Sequence, residues 1–242
     1  MNKLTKREFL DLLQSGNSLR GQMVSSLTIQ DAMSPGTAIT AARFEQVLFK
    51  DCYFGGCRFE KVKVVKCRFE NCFFDDAVFA DSEFTSCQFS NCQMDSSRIE
   101  NGIWLYPYFH TTQAKSLIID RVTIRLGRFI ACNLTNLQAP RIALPLCSFE
   151  ECDLTGADFS GATLHGANFA YANLTQANFA GAGLSVANFD GATLTETSLH
   201  GAMLAAISAK EVVGHAFDPE VLKLEGDVEI DMESIIESGA SA

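Results

Sequence analysis

The sequence predicts an all-β solenoid, a chain that turns every five residues and stacks coil upon coil. Three observations predict it. A large apolar residue recurs at every fifth position from Phe44 to Leu204 with no shift of frame, through thirty-three units of which only Ala114 and Ala139 lack a large centre. The residue two places before a centre is usually small, most regularly in the run from Ala157 to Ala192. All nine cysteines, residues 52, 57, 67, 72, 87, 92, 132, 147 and 152, fall on that same small position. A period of five fits neither a helix, with 3.6 residues per turn, nor a flat strand, with two. A chain with this period must turn a corner in each unit, with the centre and the small residue pointing inward. Gly161, Gly166, Gly181, Gly191 and Gly201 recur at one offset, where a corner needs permissive backbone angles.

The elements follow in order. Residues 1–16 are expected to form a capping helix. Thr5 and Glu8 have the spacing of a capping box, Phe9, Leu10, Leu12 and Leu13 supply an apolar face, and Gly16 stops it. A solenoid has to cover its open end or leave strand edges unpaired. Residues 17–206 carry the repeat, with Leu19, Val24, Ile29 and Ile39 holding the frame through degenerate first coils. Between about 103 and 146 the pattern coarsens: Pro107, Leu117, Val122, Leu137 and Ile142 replace the small residue, and both Ala centres lie here. Two readings fit this stretch, a continuous but irregular coil and an outward loop. Residues 207–242 leave the frame, as a short closing helix within SAKEVVGHAF followed by an acidic tail.

The tandem motif A(D/N)(L/F)xx, clearest in DFSGA TLHGA NFAYA NLTQA from Asp158 on, resembles the pentapeptide-repeat family over about residues 40–206. The resemblance implies a right-handed quadrilateral β-helix with four units, hence twenty residues, per coil. Every twentieth centre agrees: Phe49, Phe69, Phe89, Phe109, Phe129, Phe149, Phe169 and Phe189 are all Phe. They are expected to stack as a structural ladder.

The chain has 242 residues, is 47% hydrophobic and carries a net charge of −10. That charge argues against direct nucleic-acid binding, which needs a basic face. No apolar run reaches the length of a membrane span, and the first residues do not read as a secretory signal. The expected location is cytoplasmic, with signal-less secretion left open. The four Cys-x4-Cys pairs invite a metal reading, but units five apart lie on different faces and no inward His joins them, so no metal and no cofactor is expected. An odd cysteine count in a cytosolic chain favours free thiols. No nucleophile, base or phosphate-binding motif is placed by spacing, and no catalytic residue is expected.

What remains is a protein-interaction scaffold with a partner of unknown identity. The candidate contact residues are Trp104, Tyr106, Tyr108 and His110, because such aromatics are enriched at interaction hot spots. The opening REFLDLLQSGNSLRG followed by repeats resembles pentapeptide-repeat proteins associated with bacterial secretion systems, as cargo, adaptor or effector. The alternative is the DNA mimicry of family members that bind DNA gyrase and protect it from quinolones. Its candidate acidic face is Glu150, Glu151, Asp153, Asp158, Asp190 and Glu196, in a run from Ile142 to Ala209 with no Lys or Arg. Residues 44–141 weigh against it, with eleven acids and twelve bases. A homodimer through the C-terminal end is a further expectation from the resemblance.

Overall fold

The structure, a computed structural model, describes residues 2–15 and 19–214. The chain is an all-β parallel solenoid with one short N-terminal helix, in two compact units, residues 1–124 and 125–242.

In the N-terminal unit three faces of each coil are three-residue strands. Their pairing is parallel and displaced by twenty residues at every step, as in Val24↔Phe44, Phe44↔Val64, Val64↔Phe84 and Phe84↔Trp104. The twenty-residue coil expected from the Phe spacing is therefore the coil observed. The fourth face is held by single bridges, Met33↔Tyr53↔Phe73↔Gln93↔Gln113. Here the chain makes a tight turn in which the Cys57 and Ala77 N–H groups donate to the Phe54 and Phe74 carbonyls.

In the C-terminal unit, from Asn133 onward, single bridges and turns take over all four faces. The Ala157, Ala162 and Ala167 N–H groups each donate over 3.0 Å to the carbonyl of the centre three residues earlier. Gly156, Gly161 and Gly166, third in these turns, have φ of 68°, 64° and 63°. A positive φ at the third residue with a hydrogen bond from fourth to first is the type II arrangement.

The residue before each centre explains the choice. In the strand faces it is Arg43, Leu48, Arg58, Lys63, Arg68, Val78 or a similar long or β-branched side chain, which packs well on a pleated surface. In the C-terminal unit it is often Asn or Asp. There the side chain accepts the N–H two residues on: Asp153 from Thr155, Asp158 from Ser160, Asn168 from Ala170, Asn173 from Thr175, Asn178 from Ala180. Asn and Asp hold turns by this local bond.

Every fifth residue from Gly21 to Glu211 has a positive φ, and thirty of these positions are not glycine. Centre and small position are buried together from Ala42 to Leu199, and the Phe rings stack within each unit. Phe49–Phe69, Phe69–Phe89 and Phe89–Phe109 have centroids 4.9, 4.7 and 4.6 Å apart. Phe129–Phe149, Phe149–Phe169 and Phe169–Phe189 follow at 5.1 to 5.2 Å.

Within the N-terminal unit the coarse stretch continues the coil and does not loop out: strands at Ile103–Leu105, Tyr108–His110 and Ile118–Asp120 pair in register with the coil before them. Its irregularities compensate in volume. Gly102, in the small position, is bare where a Cβ would meet the Ser82 carbonyl of the coil before at 2.6 Å. Ala139, a small centre, is flanked by buried Leu137 and Ile142, and Ala114 is followed by buried Leu117. Swaps that conserve volume are the ones a packed core tolerates. Pro107 fits because its position needs no backbone donor: at the equivalent Val47 and Val62 the N–H turns to the Cys67 Sγ and Ser82 Oγ of the next coil.

The helix spans Lys6–Gln14 with Thr5 as N-cap and the Thr5–Glu8 capping box formed. Thr5 holds the Glu8 carboxyl below its ordinary value through the bonds from its backbone and side chain. Phe9 is fully buried against Phe44 and Phe49, with Leu13 beside it, while Leu10 and Leu12 are only half-buried. Gly16 lies outside the described residues. Before the helix, Asn2–Lys3 adds a strand beside Gln22–Met23. At the other end the closing helix is not found over the described residues to 214. The coil continues instead, with Ile207, Ala209 and Val212 buried and bridges Asn188↔Ser208 and Thr193↔Val213. The acidic tail lies outside the described residues, so the expected C-terminal dimer element does too.

Candidate protein-interaction surface

The sequence candidates separate on the surface. Trp104 is fully buried, its ring stacked 4.1 Å from Phe84, and its Nε1 has no hydrogen-bond partner. It occupies a centre, so it packs like one and offers a partner nothing. Tyr106 is at a corner with φ of 55° and is 54% exposed. Tyr108 and His110 flank the buried Phe109 on one strand, their rings stacked 6.1 Å apart. The structure thus keeps Tyr106, Tyr108 and His110 at the surface and removes Trp104.

The six acids do not form one face, because five-residue spacing sends successive units to successive faces. Glu150 and Asp190 lie beside Phe149 and Phe189, Asp153 beside Leu154, Asp158 beside Phe159, and Glu151 and Glu196 at two different corners. Several are engaged structurally. Asp153 and Asp158 hold their own turns, Asp190 accepts from Ser208 Oγ at 2.6 Å and the Lys210 N–H at 2.9 Å, and Glu196 accepts from Gln176 Nε2 at 2.7 Å. In the N-terminal unit acids and bases pair along the coils, as in Lys63–Glu83 at 2.5 Å and Arg58–Glu100 at 3.8 Å.

Sequence reasoning missed the most regular apolar feature of the N-terminal surface. On its turn face Met33, Tyr53 and Phe73 stand directly above one another, joined by the bridges Met33↔Tyr53 and Tyr53↔Phe73. All three are exposed, Met33 to 66% and the two rings to 36–37%. The rings lie 6.1 Å apart, tilted by 35°. Tyr53 lies across Gly55, where an added Cβ would come within 2.7 Å of its hydroxyl. The column continues into Gln93 and Gln113; beside it, directly after the centres Phe74 and Met94, Asp75 and Asp95 each accept an N–H from the next coil, of Asp95 and Lys115. Burial pushes the Asp75 carboxyl up from its ordinary value. The signal was available, since a large apolar residue directly before a centre points outward.

The cysteines behave as small core residues. All nine are buried and none forms a disulfide. Several thiols donate to a carbonyl one coil back, Cys72 to Phe49, Cys87 to Val64 and Cys152 to Phe129 at 3.2 to 3.5 Å. Ser97 and Thr197 make the same bond from the same position. Burial pushes the thiols of Cys67 and Cys147 up to about 11 and that of Cys87 to about 12. Among the described residues no group of three or more His, Cys, Asp or Glu is placed to hold a metal ion, and no helix is long and apolar enough to cross a membrane.

Comparison with known proteins adds the following. Residues 122–199 match the model of the pentapeptide repeat region, and residues 31–99 that of the SV2A/B/C luminal domain. No curated protein matches the chain. Among solved structures, trypsin-treated QnrB1, a plasmid-mediated fluoroquinolone resistance protein, is 19% identical over 78% of this chain and 91% of its own, with a TM-score of 0.42. HetL, a pentapeptide repeat protein involved in heterocyst differentiation regulation from the cyanobacterium Nostoc sp. strain PCC 7120, is 16% identical over 84% of this chain and 97% of its own, with a TM-score of 0.42. Residues 122–199 thus match a pentapeptide repeat region, and the same five-residue frame and twenty-residue register run through the coils before them.

Proposed function

We propose that the protein is a non-enzymatic interaction scaffold, and that the Met33–Tyr53–Phe73 column is a principal partner contact. The column carries the reading. Three large apolar side chains at outward positions, one per coil, add nothing to the core, and aromatic anchors of this kind dominate binding energy where interfaces have been dissected. Asp75, Asp76 and Asp95 lie beside the Phe73 end of the column and give the strip a negative flank, which suits a partner segment with aliphatic residues beside a base. Tyr106, Tyr108 and His110 form a second, smaller aromatic surface in the same unit. Secretion-system cargo, adaptor or effector remains the biological setting suggested by the opening sequence. The DNA-mimic alternative draws less support, because the N-terminal unit neutralises its own acids and the C-terminal acids are spread over several faces.

The test is capture of partners by the full chain and by a Tyr53→Ser/Phe73→Ser variant, with binding of each captured protein then measured using purified components. Loss of at least tenfold in affinity for a partner supports the reading. Full-strength binding of every partner by the variant removes the column from it. In the same assays, dose-dependent inhibition of gyrase supercoiling would favour the alternative.

A further inference from the structure

The C-terminal unit has one face unlike its others. Between Ala143 and Ala206 the face built on Leu144, Leu164, Leu184 and Leu204, with the corner that follows it, carries no Asp, Glu, Lys or Arg, and His165 is its one ionisable side chain. The corner column reads Leu126, Leu146, Gly166, Val186, Ala206, apolar or glycine at every level. Leu146 and Val186 are 58% and 55% exposed, and Met203 on the face itself 63%. Leu146 lies across Gly166, where an added Cβ would meet its Cδ2 at 2.7 Å, so the column is filled level. These side chains are also held at a backbone cost. Leu126, Leu146 and Val186 have φ of 49°, 57° and 62°, a region in which a β-branched residue is an outlier. Glycine serves the same corner role elsewhere in this unit, at Gly161, Gly181 and Gly201. The column therefore combines backbone strain with apolar exposure at positions where glycine or asparagine would relieve both.

We propose that this face packs against the same face of a second copy of the chain. The argument is electrostatic. In a two-fold pairing each patch meets itself, so any acid on it faces an acid. The protein carries a net charge of −10, and the other three faces of this unit each present acids, Glu150 and Asp190, Asp153, and Asp158. The uncharged face can meet its own copy without bringing like charges together. A lipid surface is a poorer fit, because interfacial binding draws on Lys and Arg around the apolar face, and none occurs from Ile142 to Ala209. Arg125 and Arg141 bound the patch at its first coil only. From Leu146 to Ala206 the patch spans three coil steps, about 15 Å at strand spacing. That is smaller than the ~800 Å² per partner of a standard-size interface, so the dimer is a weak one. The proposal does not depend on the scaffold reading, whose contact column lies in the other unit.

Sedimentation velocity of the full chain over a concentration series up to several hundred micromolar tests it. The expected result is a weight-average mass rising from 26.4 kDa towards twice that value, more steeply at high salt, which screens the repulsion between two anionic copies. Leu146→Asn/Val186→Asn should remain monomeric throughout with an unfolding midpoint no lower than wild type, since Asn accepts the left-handed region. Ala205→Glu, which puts a charge on the face without touching a strained corner, should do the same. Tyr171→Asn, at a different corner, should dimerise like wild type. A wild-type chain that stays monomeric at the highest concentration overturns the proposal. So does a dimer that survives both face variants, which would use another surface, and so does a patch that cross-links only to unrelated proteins.

Discussion

The two units build the same twenty-residue coil by different local means. In the N-terminal unit the backbone is satisfied mostly by strand pairing from coil to coil, and the outward residues are free to be long. Arg58, Glu60, Arg98 and Glu100 use that freedom for surface ion pairs. In the C-terminal unit the chain folds back on itself at every face, and the residue before the centre is recruited to hold the turn. Asn173 shows how fully. Its Oδ1 accepts from the Thr175 N–H and Oγ1, while its Nδ2 donates to Thr155 Oγ1 and reaches Asp153 Oδ1 one coil back. The fold constrains inward positions equally in both units, but it claims outward positions only in the second. Strand faces leave more surface available to function.

The sharpest test of equal cores is truncation of one ring in each unit. Phe169→Ala and Phe89→Ala should each cost about 3–5 kcal/mol, read from urea unfolding midpoints, with Phe89 at the upper end because Trp104 packs on it in addition to Phe69, Phe74, Phe84 and Phe109. An unchanged midpoint for either would refute the stacked core in that unit. The unequal surfaces predict the next effect. Asn173→Ala should cost about 1–2 kcal/mol, since it leaves a turn N–H without its acceptor, whereas Arg68→Ala, at the matching position of a strand face, should stay within about 0.5 kcal/mol. Equal costs would erase the distinction between the units.

The corners sharpen it further. Val186→Gly should stabilise by about 0.5–1 kcal/mol, because relief of left-handed strain exceeds the added freedom of the unfolded chain. Gly161→Ala should destabilise, since φ there is 64° and the new Cβ would sit 3.3 Å from Arg141 Cγ. The smallest effect concerns Asp75, whose carboxyl bonds across coils where Asp153 and Asp158 bond within their turns. Burial raises its pKa on folding. The folded chain therefore binds this proton more tightly than the unfolded chain. The resulting contribution is present below the ordinary value of 3.8 and lost as pH rises through the folded value. Asp75→Asn should give a slight rise in midpoint at pH 7 that disappears in acid, measured by thermal melts across pH.

What the sequence made legible was everything that points inward. The centre frame, the ring column, the small position with its cysteines and the capping box at Thr5 all follow from packing and local hydrogen bonding, which act the same way at every repeat. Trp104 shows where composition misled. As an aromatic in an irregular stretch it resembled a contact residue, yet its frame position already required burial. The coil beyond residue 206 was legible too, since Ile207 and Val212 stand on the small position, but bulky residues there masked the frame. The Met33–Tyr53–Phe73 column was hidden for a different reason. Packing does not determine an outward residue, and three of them twenty apart become one feature only when the coil is wound.

The twenty-residue register also governs how a gene for this protein could change length. Removing five codons would rotate everything downstream by a quarter turn and scatter each surface column among its neighbours, though every centre would still find the core. Removing twenty would take out one whole coil and return the remaining side chains to their columns. Such a chain tolerates gain and loss most readily in whole coils, and a partner reading one face would see its contact surface lengthened or shortened without being rewritten.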